Sequence, residues 1–164
     1  MGHLWLVGMM GSGKTTVGAL TAGLLSLPFV DTDARIAERS GRSVKEIFED
    51  GEIVFRRIES QILAEVALER PSVIATGGGA VLSAENVVLM RASGMIVLLE
   101  VDAGTIAERV KLDAERPLLV SGEGIVEVLE ERRELYRAVA DWILSSVGRT
   151  PEEVAMEVAA CADT

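Results

Sequence analysis

Gly8-Met9-Met10-Gly11-Ser12-Gly13-Lys14-Thr15 decides how the rest of the chain is read. The stretch fits G-x-x-x-x-G-K-[ST], the pattern of a phosphate-binding P-loop. At ordinary usage of about 7% Gly, a chain of this size matches by chance less than about once in a hundred. The setting agrees with the match. The apolar run Leu4-Trp5-Leu6-Val7 reads as a buried strand just before it, and Thr16 to Leu25 as a helix just after. Strand, Gly-rich turn and helix are the context the pattern requires. Glycines let backbone N–H groups face inward, and with the positive end of the helix they make a pocket for phosphate. Gly11, Ser12, Gly13 and Thr16 supply that cradle, and Lys14 adds a mobile charge for the outer phosphates. The Thr15 hydroxyl suits the magnesium that accompanies a nucleotide. A turn that bound nothing would have no use for a lysine and a hydroxyl at these two places.

The chain has 164 residues, enough for one domain with a real core. Its hydrophobic fraction of 49% and charged fraction of 26% are those of a globular protein. Aromatics are only 4%, so the core is expected to be Val, Leu, Ile and Ala. Net charge is −10, which argues against nucleic acid or an anionic membrane as partner. A nucleotide site must then be a local positive pocket in a negative field. The single cysteine, Cys161, has no internal disulfide partner and reads as packing, which fits a reducing cytoplasm. The P-loop starts at residue 8, leaving no room for a leader before it, and no apolar run approaches the ~18 residues of a membrane span.

Short apolar strands alternate with helical patterns, which predicts an α/β fold with a parallel sheet. The strands fall at about Leu4–Val7, Pro28–Val30, Ser72–Ala75, Met95–Leu99 and Trp142–Leu144. Runs of this kind are buried on both faces, and ligands gather at their carboxyl ends. After the second strand comes Asp31-Thr32-Asp33, whose carboxylates share a side if the chain stays extended. Asp33 serves there either as half of a functional pair or as the cap of a helix over Ala34–Arg39. Ser43 with Glu46 fits a capping box opening a short helix to Phe48. Glu52–Glu69 is a longer helix, with Ile53, Ile58, Ile62 and Val66 read as its apolar face. Arg56 and Glu59 are neighbours on it, and spacing alone favours a solvated surface pair. After the third strand, Gly77-Gly78-Gly79 forms either a backbone that a ligand approaches closely or a loose connection. A helix over about Ser83–Ala92 leads to the fourth strand, and another follows through Arg109. Pro117 stops any helix by Arg116, and Ser121-Gly122-Glu123-Gly124 suggests a mobile lid. Gly124–Ala140 reads as a long, largely solvated helix ending in Leu135-Tyr136-Arg137. Thr150, Pro151 and Glu153 form a second capping box. His3, the only histidine, reads as filler beside the first strand.

Taken together these stretches resemble the shikimate kinase family: G-x-x-G-x-G-K-T at Gly8–Thr15, D-T-D at Asp31–Asp33, F-R-R-x-E at Phe55–Glu59, G-G-G at Gly77–Gly79, E-R-P-L-L at Glu115–Leu119 and L-Y-R at Leu135–Arg137. The match spans nearly the whole chain, and the combination is far more specific than the P-loop alone. The resemblance implies a single P-loop kinase domain over 1–164, three-layered, with a five-stranded parallel sheet in order 2-3-1-4-5. It implies a substrate-binding region at about 32–60 and a lid at about 111–124. The implied reaction moves the ATP γ-phosphate to the 3-hydroxyl of shikimate, with Mg2+, in a cytoplasmic monomer. Carried over, Arg56 and Arg137 hold the substrate carboxylate, Asp33 its hydroxyls, and Gly78, between Gly77 and Gly79, offers its N–H. Glu59 orients Arg56, Lys14 and Arg116 act on the phosphates, and Arg109 and Arg149 flank the adenine. Thr15 and Asp31 serve the metal. A kinase of another hydroxylated acid such as gluconate, a nucleotide kinase and a nucleotide-dependent switch are the rival readings.

Overall fold

Strand β1 (His3–Val7) lies at the centre of a parallel sheet with β2 (Phe29–Asp31), β3 (Val73–Ala75), β4 (Gly94–Glu100) and β5 (Trp142–Ser145), in the expected order β2-β3-β1-β4-β5. The computed structural model describes residues 1–111 and 122–162. All of β1 and β3 is buried, as continuous apolar runs with neighbours on both faces should be. Leu6 sits opposite Ala75 on one side and Val97 on the other.

The alternation of side chains along β1 sorts the two layers. Leu4 and Leu6 face α1 (Lys14–Leu25) and α8 (Pro151–Cys161), where Val17, Val154 and Val158 complete a core. Trp5 and Val7 face the other layer, built on α2 (Thr32–Ser40), α3 (Val44–Glu49), α4 (Glu52–Val66), α5 (Ala84–Ser93), α6 (Ala103–Lys111) and α7 (Gly122–Val139). Ile36, Ile47, Ile62, Ile106 and Tyr136 come from those helices. Both expected capping boxes are present, at Ser43/Glu46 and Thr150/Glu153. Among the described residues no helix is long and apolar enough to cross a membrane.

Several sequence expectations need correction. The apolar face of α4 is Phe55, Ile62, Leu63 and Val66, while Ile53 is 78% exposed. Glu59 lies within that buried stripe, fully inaccessible, so the surface-pair reading of Arg56 and Glu59 fails. β5 is an edge strand with one neighbour, and Trp142 and Ile143 remain partly exposed. Gly122 to Gly124, read as part of a mobile connection, open α7. His3 is buried structure: its Nδ1 accepts from the Ser72 N–H at 3.2 Å and its ring meets Trp5 edge-on.

Candidate active site

The carboxyl ends of β1, β2 and β3 open on one cleft of about 720 Å³. Lys14, Thr15, Asp31, Asp33, Gly78 and Arg109 line it, with Val44, Lys45 and Phe48 across the opening. The P-loop forms because Gly8, Gly11 and Gly13 take φ of 139°, 77° and 97°, a region closed to most side chains. Gly13 then hands the chain to α1 with no side chain in the way of the helix N-terminus. Ser12 is fully buried in the loop. Lys14 donates to the Gly8 and Met9 carbonyls, both at 2.8 Å, which sets its ammonium inside the curve. Arg109 donates to the Gly11 carbonyl at 3.0 Å and the Ser146 carbonyl at 3.3 Å, joining α6 to the P-loop and to the turn after β5. Behind it a smaller recess of about 210 Å³ lies between Arg109 and Arg149, with Thr16, Pro151 and Val154 in its walls. Arg149 is itself paired with Glu157 at 2.7 Å. The two arginines therefore flank a hollow beside the P-loop, on the side away from Asp33.

Asp31, not Asp33, caps α2. Its Oδ1 accepts from the Asp33 and Ala34 N–H groups at 3.0 and 3.1 Å, and the helix begins at Thr32. Its other oxygen accepts from the Thr15 hydroxyl at 2.7 Å. A hydroxyl and one carboxylate in contact at a phosphate loop fit magnesium, which binds through few protein oxygens and takes the rest from water and phosphates. Among the described residues no group of three or more His, Cys, Asp or Glu gathers as a self-sufficient metal cage. Thr32 is buried, and its hydroxyl accepts from the Gly77 N–H at 3.1 Å, so the middle residue of D-T-D ties the β2 end to the glycine turn.

Asp33 and Glu59 meet around Gly77. A Cβ there would stand 2.7 Å from Glu59 Oε1 and 2.9 Å from Asp33 Oδ1, so any side chain would displace both carboxylates. Gly79 is needed for a similar reason, because the Arg56 guanidinium occupies the space of its missing side chain. Arg56 donates to Glu59 Oε2 at 2.8 Å and reaches Glu52 at 3.2 Å. Its guanidinium also lies over the stacked rings of Phe55 and Phe48. Burial works to lower the Arg56 pKa, but Glu59 and Glu52 more than offset it, and the cation is secure. Burial pushes the Glu59 carboxyl above its ordinary range against the pull of Arg56, and nearby Asp33 adds to the rise. The result is a guanidinium held in place by two carboxylates and two rings, beside the glycine turn.

Arg137 is not brought to this cluster. It makes a two-pronged pair with Glu100 at 2.7 and 3.1 Å, half exposed, and that contact holds the Glu100 carboxyl below its usual range. Residue 137 lies roughly 100° around α7 from residue 136, which is why it misses. Arg132 does reach the cluster. One turn before Tyr136 and on the same face, it lies close enough that its charge favours the Glu59 carboxylate and opposes the rise that burial gives the Tyr136 phenol. Sequence reading missed Arg132, although R-x-x-x-Y on a helix puts both side chains on one face. Arg116 and most of the expected lid at 111–124 lie outside the described residues.

The family model for shikimate kinase matches residues 10–163. A shikimate kinase of Moorella thermoacetica is 46% identical over 159 residues, covering 96% of this chain and 92% of the relative. One of Gloeobacter violaceus is 48% identical over 163 residues, covering 96% and 90%. Among solved structures, the shikimate kinase of Acinetobacter baumannii in complex with shikimate superposes with a TM-score of 0.94 at 33% identity, over 99% of this chain and 93% of that one. These are ATP-dependent kinases, and with a family match over nearly its full length this chain belongs to the shikimate kinase family.

Proposed function

We propose that the chain transfers the γ-phosphoryl group of ATP to the 3-hydroxyl of shikimate, giving shikimate 3-phosphate and ADP, with the residues of this cleft in the following roles. Backbone N–H groups of Gly11 to Thr16 and the Lys14 ammonium hold the triphosphate tail. Arg109 and Arg149 flank the adenine in the recess between them. Arg56, aimed by Glu59, takes the substrate carboxylate, because a planar fork suits a carboxylate better than a lysine would. Arg132 is its partner cation, in the place first given to Arg137. Asp33 accepts hydrogen bonds from the ring hydroxyls and receives the proton as the new P–O bond forms. The Gly78 N–H, with Gly77 and Gly79 leaving room, completes the ring site. Thr15 and Asp31 would hold Mg2+, whose charge neutralises the phosphate oxygens. Arg116 adds charge from the lid.

The observation that carries this reading is the cluster Asp33–Glu59–Arg56 around a glycine turn, whose Asp33 shares one cleft with the P-loop lysine. A nucleotide switch has no use for a buried glutamate that holds an arginine beside that cleft. Phosphoryl transfer is loose and depends on positioning and charge more than on a strong base. The reading carries with it a single domain over 1–164, working as a cytoplasmic monomer. ADP release measured in parallel with shikimate, gluconate and nucleoside monophosphates tests it. Turnover confined to shikimate supports the assignment, and equal or greater turnover with another acceptor overturns it.

A further inference from the structure

Tyr136 is the chain's only tyrosine and is 2% exposed. Its ring packs in the core under the sheet, yet its hydroxyl reaches the loops of the cleft. The hydroxyl donates to the Gly78 carbonyl at 2.5 Å and lies 3.7 Å from the Met9 sulfur of the P-loop. A Cβ on Gly78 would come within 3.4 Å of the Met10 nitrogen, 3.6 Å of the Gly8 carbonyl and 3.7 Å of the phenol oxygen itself. Gly78 is therefore packed closely against both the P-loop backbone and the phenol.

The glycine turn has other fixed joints. The Thr76 hydroxyl donates to the Leu6 carbonyl at 2.9 Å, and the Gly77 N–H donates to the Thr32 hydroxyl at 3.1 Å. The Gly77 carbonyl accepts from the Ala80 N–H at 3.1 Å, and the Gly79 carbonyl from the Leu82 N–H at 3.0 Å. Those bonds hold the peptide units on either side, and the unit between them, from the Gly78 carbonyl to the Gly79 N–H, is anchored by Tyr136. Its bond is trans, so its two polar ends point opposite ways and fixing one aims the other. Glycine would otherwise leave this unit the freest in the turn.

We infer that Tyr136 is a positioning residue for the acceptor: its hydroxyl fixes the Gly78–Gly79 peptide against the P-loop and locks the glycine turn to the helix that carries Arg132. The inference rests on the acceptor site proposed above. It assigns to one hydroxyl the alignment of the two halves of that site, the arginine from α7 and the amides from the turn after β3. The bland alternative is a tyrosine that only packs. The two separate cleanly, because Tyr136→Phe keeps the ring and removes only the hydroxyl.

The test is steady-state kinetics and calorimetric titration of wild type and Tyr136→Phe, each with shikimate and with ATP. Loss of one net hydrogen bond of alignment predicts a shikimate KM and Kd raised about tenfold. The ATP KM should stay within about twofold, since the P-loop retains its own bonds to Lys14 and Arg109. An unchanged shikimate constant, equal rises for both substrates, or a lower Tm with unchanged kinetics would each overturn the inference. Because the chain has a single tyrosine, 3-fluorotyrosine labels this position alone and gives a readout in the otherwise intact protein. Its 19F resonance should move when shikimate is added without nucleotide, and an unmoved resonance would refute the role even if Tyr136→Phe fails to fold. Wild type that turns over no shikimate would defeat the proposed function and this inference with it. Wild type active on shikimate, with Tyr136→Phe matching it, would defeat the inference alone.

Discussion

Glu59→Gln tests the central arrangement of the site, because it removes a charge and keeps the shape. Glu59 is fully buried, with one oxygen 2.8 Å from Arg56 and the other against the open side of Gly77. Glutamine still fills the space and keeps one acceptor, so no cavity opens. Arg56 retains Glu52, and its side chain is 25% exposed, so the cation is not stranded. Removing a buried carboxylate also removes its desolvation cost. Stability at neutral pH should therefore change by no more than about 1 kcal/mol. The loss falls instead on aim. One charge-assisted bond is worth ~1.5–3 kcal/mol, so the shikimate KM should rise about 10- to 100-fold. The ATP KM should move less than about twofold, since among the described residues the Glu59 hydrogen bond goes to Arg56 and not to the P-loop. The pH profile adds a second reading. Burial raises the Glu59 pKa above its unfolded value, with Asp33 adding to the rise and Arg56 opposing it. For a raised group the stability contribution is fully present below the unfolded pKa and is lost as pH rises through the folded one. Wild type should thus lose stability across that window relative to Glu59→Gln. Binding runs the other way: protonation of Glu59 as pH falls loosens Arg56, so the wild-type shikimate KM should climb on the acid side before ordinary carboxylates titrate. Thermal melts and initial rates from acid to neutral pH read both effects. Equal changes in the two substrates' KM, or an acid limb that survives in Glu59→Gln, would refute the reasoning.

Asp33→Asn should lower kcat about 100-fold or more while ATP affinity measured by calorimetry is unchanged, if the carboxylate receives the hydroxyl proton. Arg132→Lys should raise the shikimate KM about tenfold or more, losing the fork but not the charge. Arg137→Lys, whose hydrogen bonds among the described residues go to Glu100 at the surface, should leave that KM within about twofold; the reverse ranking would restore Arg137 to the site. Asp31→Asn keeps a good helix cap, so Tm should hold while the Mg2+ concentration for half-maximal rate rises, and a fall in Tm with no change in Mg2+ demand would place Asp31 in the fold alone.

The sheet was legible because its strands are short apolar runs whose carboxyl ends each carry a polar signature. D-T-D and G-G-G could be read as loop chemistry, but not which carboxylate capped α2. That depends on the helix beginning at Thr32, where Asp31 is the residue with free oxygens facing the first N–H groups. Glu59 was misjudged for an instructive reason. The stripe Phe55, Glu59, Ile62, Leu63, Val66 has perfect helical spacing, and a single acid inside it is the anomaly to notice. Choosing Ile53 and Ile58 as the face moved Glu59 to the solvent side. Arg132 was lost in a run of charges, Glu130-Glu131-Arg132-Arg133-Glu134, that looks uniformly solvated. Only the placement of Tyr136 in the core shows which of those residues turns inward.

The three acids of the site differ in environment, and the difference assigns their work. Asp31 is held by two backbone N–H groups and a hydroxyl, at the rim beside Thr15, where an anion serves a hydrated cation. Glu59 is buried under Arg56, where it is costly as a charge unless that charge aims something. Asp33 stands between them, lining the cleft itself, with its N–H on Asp31 and its carboxylate beside Glu59 at Gly77. A carboxylate that must accept and release a proton needs such a position, open to the acceptor. The chain carries 26 acidic against 16 basic residues, so cations at the site are scarce, and three of them are tied down: Lys14 by two carbonyls, Arg109 by two more, Arg56 by Glu59. Anchoring of this kind keeps positive charge where phosphate and carboxylate must meet, in a protein whose net field would otherwise repel both.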